Sequence, residues 1–151
     1  MRDQASSVDL RLRRRREAAE TIVERAAALA ERDRGLLEAV YAKGHTVQEV
    51  ARLLGQTQPS EVRQLRKRVR RLVTRVSDPR FIFVLASCKQ WPTSQRKVAE
   101  RCVLRGESMR AAAADLGLSL HLIRQQCLRI DAMFEAASMQ ALTKRRSESA
   151  A

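Results

Sequence analysis

Apolar residues recur along this chain three and four places apart, with no sustained alternation, so the pattern predicts helices throughout. Leu10, Leu12, Ala18, Ala19, Ile22, Val23, Ala26, Ala27 and Leu29 predict a first helix from Val8, with Arg13, Arg14, Arg15 and Arg16 set into it. Met1 to Ser7 lacks the period and is expected to be irregular. The polar cluster Glu31 to Arg34 predicts a break. Leu36, Leu37, Val40 and Tyr41 form the stripe of a second helix, which Gly44 ends. Thr46 with Glu49 three residues on is a capping box that opens a helix to Leu54. Pro59 suits a first helical position, and Val62, Leu65, Val69, Leu72 and Val76 then point inward. Asp78 and Pro79 mark a further start, with Phe81, Ile82, Val84, Leu85 and Cys88 forming an apolar surface that Trp91-Pro92-Thr93 stops. Trp91 is expected to pack in the core that follows. Val98, Cys102 and Val103 line the next helix, and Ile123, Cys127, Ile130 and Phe134 the last one. Beyond Met139 an irregular basic tail is expected.

One stretch organises the rest. Gly106 can end a helix in the left-handed conformation. Ser108 can cap the next, where Met109, Ala113 and Leu116 share a face. Gly117 makes a tight turn and Ser119 caps a further helix. Two helices joined by a short glycine turn form a helix-turn-helix, which lays its second helix in a DNA major groove. The same pattern stands upstream at one constant offset. Gly44 pairs with Gly106, Thr46 with Ser108, Val47 with Met109, Ala51 with Ala113, Leu54 with Leu116 and Gly55 with Gly117. Val62-Arg63-Gln64 then pairs with Ile123-Arg124-Gln125, after one extra residue in the first copy.

The expected fold class is therefore all-α: two tandem three-helix helix-turn-helix modules joined by a bridging helix, behind a basic N-terminal helix. The boundaries are 1–30 for the arm, 31–77 for the first module, 78–138 for the bridging helix and second module, and 139–151 for the tail.

Composition narrows the function. The 151 residues hold one domain or two small ones, 44% hydrophobic but only 3% aromatic. The net charge of +13 attracts polyanions, meaning nucleic acid or an anionic membrane surface. No apolar run approaches the roughly 18 residues of a membrane span. The arginine block has no apolar run after it, so it is neither a secretory signal nor a good membrane-surface helix. Cys88, Cys102 and Cys127 are odd in number with no close pair, which fits buried thiols in a reducing cytoplasm. His45 and His121 do not complete a zinc site with them. No carboxylate cluster, nucleophile–base pair or phosphate loop is present, so no enzyme activity, cofactor or small-molecule substrate is expected.

Residues Leu29 to Leu72 resemble region 4 of bacterial sigma-70 family RNA polymerase sigma factors. The matching residues are Arg34, Leu36, Leu37, Tyr41, Gly44, Thr46, Glu49, Val50, Ala51, Leu54, Gly55, Val62, Arg68 and Leu72. The second repeat looks like the same domain, and like the output domains of bacterial response regulators. The resemblance implies a last helix that reads promoter DNA. The turn Gln56 to Ser60 is one residue longer than its counterpart, and nothing resembles region 2, which melts DNA.

The expectation is a sequence-specific, double-stranded DNA-binding transcription regulator in the bacterial cytoplasm, associated with the nucleoid. Arg63 and Arg124 are placed to reach guanine edges, and Gln64 and Gln125 adenine. Ser60, Arg66, Lys67, Arg70, Arg71, His121, Arg129 and the block Arg13, Arg14, Arg15 and Arg16 complete the expected DNA-binding set. Two alternatives stand beside it: an adaptor that docks on RNA polymerase, and the DNA-binding part of a transposase or recombinase system.

Overall fold

Each helix start that the sequence marks with a capping side chain is capped by it in the computed structural model. The Thr46 hydroxyl accepts from the Glu49 N–H at 3.2 Å while the Glu49 carboxylate accepts from the Thr46 N–H at 2.7 Å. Asp78 accepts from the N–H groups of Arg80 and Phe81, Ser108 from Ala111 and Ser119 from Leu122. Each cap satisfies a backbone donor that the helix itself cannot, and contributes about 1 kcal/mol.

The structure describes residues 3–150, with side chains from Leu10 onward, and within them it is all-α, with eight helices and no strand. They are α1 (Asp3–Ala26), α2 (Glu31–Leu37), α3 (Val47–Leu53), α4 (Pro59–Ser77), α5 (Pro79–Ser87), α6 (Thr93–Ala99), α7 (Met109–Leu116) and α8 (Leu120–Ser149). The chain divides into two units between Ser77 and Asp78. No helix is long and apolar enough to cross a membrane among the described residues.

In the first unit Leu65, Val69, Leu72 and Val76 of α4 are buried against Leu36, Leu37, Val50 and Ala51, with Ala26 and Leu29 closing the core from the end of α1. Two polar contacts fix the helices around it. Arg25 donates to the Val76 carbonyl at 3.2 Å, and Arg68 Nε donates to Asp33 at 3.0 Å. In the second unit Phe81 and Val84 of α5 and Val98 and Ala99 of α6 are buried, as are Ile123, Cys127 and Ile130 of α8. Half-buried Phe83 stands 5.9 Å from the Trp91 ring and 5.7 Å from that of Phe134, so Trp91 is half-buried in an aromatic cluster rather than at the centre of the core.

The repeated sequence pattern has the same backbone geometry in both units. α2 and α6 each run into a π-helical turn, Glu38–Ala42 and Glu100–Leu104. Lys43 donates to the Glu38 carbonyl at 3.0 Å and Arg105 to that of Glu100 at 2.9 Å. His45 donates to Ala39 and Glu107 to Arg101 in the bonds that close the two helix ends. Those closures need left-handed residues, supplied by Gly44 at φ 72° and Gly106 at φ 67°.

Several boundaries differ from the sequence reading. The helix begins at Asp3, not Val8; Met1 and Arg2 lie outside the described residues. The break falls at residues 27–30 rather than Glu31 to Arg34, because the polar cluster is the first turn of α2 with acids Glu31 and Asp33 at the positive helix end. α3 stops at Leu53. α8 continues to Ser149 where an irregular tail from 139 was expected, because Met139 to Glu148 contains no glycine or proline and is rich in helix formers. Ala151 lies outside the described residues.

Candidate nucleic-acid interface

The most basic surface on a single helix is built by α4. Its burial pattern turns one face inward, so Ser60, Arg63, Gln64, Lys67, Arg70 and Arg71 fall within roughly 120° of the opposite face. All six are exposed, and Arg66 is exposed on the flank of the strip. Gln64, Lys67, Arg68 and Arg71 bound a shallow concavity along it. Among the described residues Arg63, Arg66, Lys67, Arg70 and Arg71 have no carboxylate within ion-pairing distance. Arg68 is the structural exception, since its guanidinium is held by Asp33. The only acid in α4, Glu61, is turned to the chain behind it, where its carboxylate accepts from the Gln58 N–H at 3.1 Å.

The local sequence explains why α4 starts where it does. Gly55 takes φ 72°, and Gln56 donates to the Ala51 carbonyl at 2.8 Å, which ends α3. A side chain added at Gly55 would meet no atom, so glycine is required there by backbone conformation and not by crowding. Pro59 then begins α4 with its fixed φ.

The counterpart helix α8 starts on the Ser119 cap after Gly117 at φ 63°. His121, Arg124, Gln125 and Arg129 are all exposed, as expected. They share their face with Leu128, which is 68% exposed, so this surface is less charged than that of α4. Arg13, Arg14, Arg15 and Arg16 are exposed on α1. Arg13 pairs with Glu17 and Arg16 with Glu20, each at 3.1 Å, which leaves Arg14 and Arg15 with no carboxylate partner among the described residues. α1 is joined to the last turn of α4 through Arg25, and Arg16 of the block borders a concavity with Ala19, Val23, Tyr41 and Ala42.

Sequence reasoning missed two features. Arg34 to Glu38 and Arg96 to Glu100 are ion pairs at 3.6 and 4.0 Å that stand at the repeat offset, so the repeat begins at Arg34 and Arg96, upstream of the two glycines. The signal was present as an Arg-x-x-x-Glu spacing in each copy. The second feature is an apolar groove of about 330 Å³ in the first unit, lined by Leu36, Ala39, Val50, Leu53, Leu54 and Leu65 beside Arg68. Leu54, the repeat counterpart of half-buried Leu116, is 58% exposed, and Leu53 is 74% exposed.

The three thiols all lie in the second unit. All three are free, Cys88 and Cys127 are buried, and burial pushes the half-buried Cys102 up to about 12. A thiol held protonated in this way is a weak nucleophile and ligand. Among the described residues no three His, Cys, Asp or Glu side chains gather to hold a metal ion. No protein-family model, curated protein or solved structure matches the chain.

Proposed function

We propose that the chain is a sequence-specific, double-stranded DNA-binding transcription regulator, made of two helix-turn-helix modules similar to sigma region 4. The observation that carries this reading is the α4 strip: Arg63, Lys67, Arg70 and Arg71 lie exposed, with no carboxylate partner among the described residues, on one helix face whose opposite face is core. Unpaired cations on a rigid helix suit a phosphate backbone, and affinity then comes mostly from counterion release. Arg63 and Gln64, near the start of α4, are the side chains for base edges, with Arg124 and Gln125 in the same places on α8. The test is selection of bound sequences from a random duplex pool, followed by mobility shifts over a salt series. One enriched motif is expected, with Arg63→Ala relaxing the choice of base and Arg66→Ala with Lys67→Ala weakening all sequences alike. The double change should flatten the log affinity against log salt slope by about 2. An unselective pool, or a slope untouched by the double change, overturns the reading.

The groove beside Arg68 favours a second reading, an adaptor that docks on RNA polymerase through the first unit. Exposed Leu53 and Leu54 are costly to leave in water and suit an apolar partner surface. Leu53→Asp separates the two, because it abolishes polymerase binding under the second reading and leaves duplex affinity intact under the first.

A further inference from the structure

The end of α8 projects as a helix with solvent on every side, all residues from Met139 to Ala150 being exposed. So short a stretch of helix is marginal in water unless something packs on it. Its outer face is ordered. Ala132, Glu135, Met139, Leu142, Arg146 and Ser149 follow one another at spacings of three, four, three, four and three, which keeps them on one face. That face is turned roughly 120° away from the one through which Ile123, Cys127 and Ile130 enter the core. At its middle Met139 is 69% and Leu142 63% exposed.

We propose that this face pairs with the same face of a second copy of the chain, antiparallel and about a two-fold axis. The series is complementary to its own reverse. Run antiparallel, Met139 meets the partner's Leu142, Glu135 meets the partner's Arg146, and Ala132 meets the partner's Ser149. A two-fold makes every contact twice. Run parallel, Glu135 faces its own copy and so does Arg146, and like charges across a seam are repulsive, so charge sets the direction. Small residues and two charges flank the seam: Asp131, held by Arg80 at 2.7 Å, stands beside one end and Arg145 beside the other. Ala136, Ser138 and Thr143 are small, and the two hydroxyls already donate to the carbonyls of Phe134 and Met139. The seam is roughly 26 Å long. Two short helices bury less than the ~1,200 Å² at which stable interfaces begin, so the pairing is reversible and concentration-dependent. It stands on the α8 face alone and does not rest on the DNA-binding reading.

Sedimentation equilibrium of the full chain at low salt, without DNA, tests it. The average mass should climb from 17.1 kDa toward twice that value as concentration rises. Glu135→Arg and Arg146→Glu should each weaken association by about tenfold, because each creates two like-charge contacts. The two changes combined should restore it, with circular dichroism confirming unchanged helix content in every variant. A mass that stays at 17.1 kDa throughout overturns the proposal. So does a combined variant as weak as either single one, since only the antiparallel register brings these two side chains together.

Discussion

The two units share a backbone plan but fill it with opposite chemistry. In the second, Arg101 donates to Glu107 at 3.0 Å and Asp115 at 2.9 Å, a polar lock that ties the π-helical turn to α7. At the repeat offset the first unit has Ala39, His45 and Leu53 in those places. Ala39 and exposed Leu53 line the apolar groove instead. Charge is distributed the other way round on the outer helices. The outer strip of α4, Arg63, Lys67, Arg70 and Arg71, is densely cationic with no carboxylate partner among the described residues, whereas α8 mixes Arg124 and Arg129 with exposed Leu128. The hydrogen bonds of caps, turns and closures define the common fold. The side chains at equivalent positions then divide the work, with one unit offering a cationic face and an open groove and the other a closed, cross-linked body.

The largest expected break lies at the first core position of the outer helices. Ile123 is fully buried among Val98 and Cys127, while its counterpart Val62 is half-buried. Ile123→Ala should cost about 2–5 kcal/mol, and Val62→Ala below about 1.5. Chemical denaturation of the full chain measures both. Equal losses would mean the two cores are equivalent and the burial difference carries no energy.

The helix crossings give the next effect. Ala51 was expected to match Ala113, but the fully buried alanine of α7 is Ala112, and Ala113 is half-buried against the edge of the same core. Ala112→Leu should therefore cost about 1–3 kcal/mol by overpacking, and Ala113→Leu less. The reverse order, read from thermal melts, would place α7 in the rotation assumed from the sequence.

Removing the lock is comparable or smaller. Arg101→Ala strips two ion pairs from a residue 29% exposed and leaves Glu107, one of whose oxygens is already buried without a partner. A loss of about 1–2 kcal/mol is expected, and a double-mutant cycle with Glu107→Ala should return a positive coupling. Zero coupling would make the lock a surface decoration.

The all-α class, the helix starts and most inward positions were legible because caps and periods are local: Thr46, Asp78, Ser108, Ser119 and Pro59 act within three residues of themselves. What a residue meets across space was not. Nothing in the spacing of Leu54 says that it lies open while Leu116 packs against the cluster of Val98, Ile123 and Cys127. Met109 shares a face with Ala113 and Leu116 by period, yet it is 41% exposed. The candidate interface was readable as an arginine-rich outer face, but that Arg68 is tied to Asp33 and withdrawn from it depends on a neighbour thirty-five positions away. The end of α8 failed for a different reason. Charge in Lys144, Arg145 and Arg146 was read as a disordered tail, although the segment has no helix breaker.

The smallest effect separates the two units by acid. α3 opens on a reciprocal cap, in which Thr46 and Glu49 satisfy each other's backbone N–H, and that bond holds the Glu49 carboxyl below its ordinary value. α7 opens on Ser108 with Ala111 at the matching place, so it has the hydroxyl half of the cap and no carboxylate. A carboxyl lowered in the folded state stabilises that state above its ordinary pKa of about 4.5, and the contribution disappears as pH falls through the folded value. Acid should therefore loosen the start of α3 and spare that of α7. Amide exchange by NMR between neutral pH and pH 3, corrected for intrinsic rates, should show the Thr46 amide losing protection while the Ala111 amide keeps it. Glu49→Gln should remove the pH dependence at Thr46 without touching Ala111. Loss of protection in step at both sites would mean that a general acid effect governs both helices, and that the capping box gives α3 no pH response of its own.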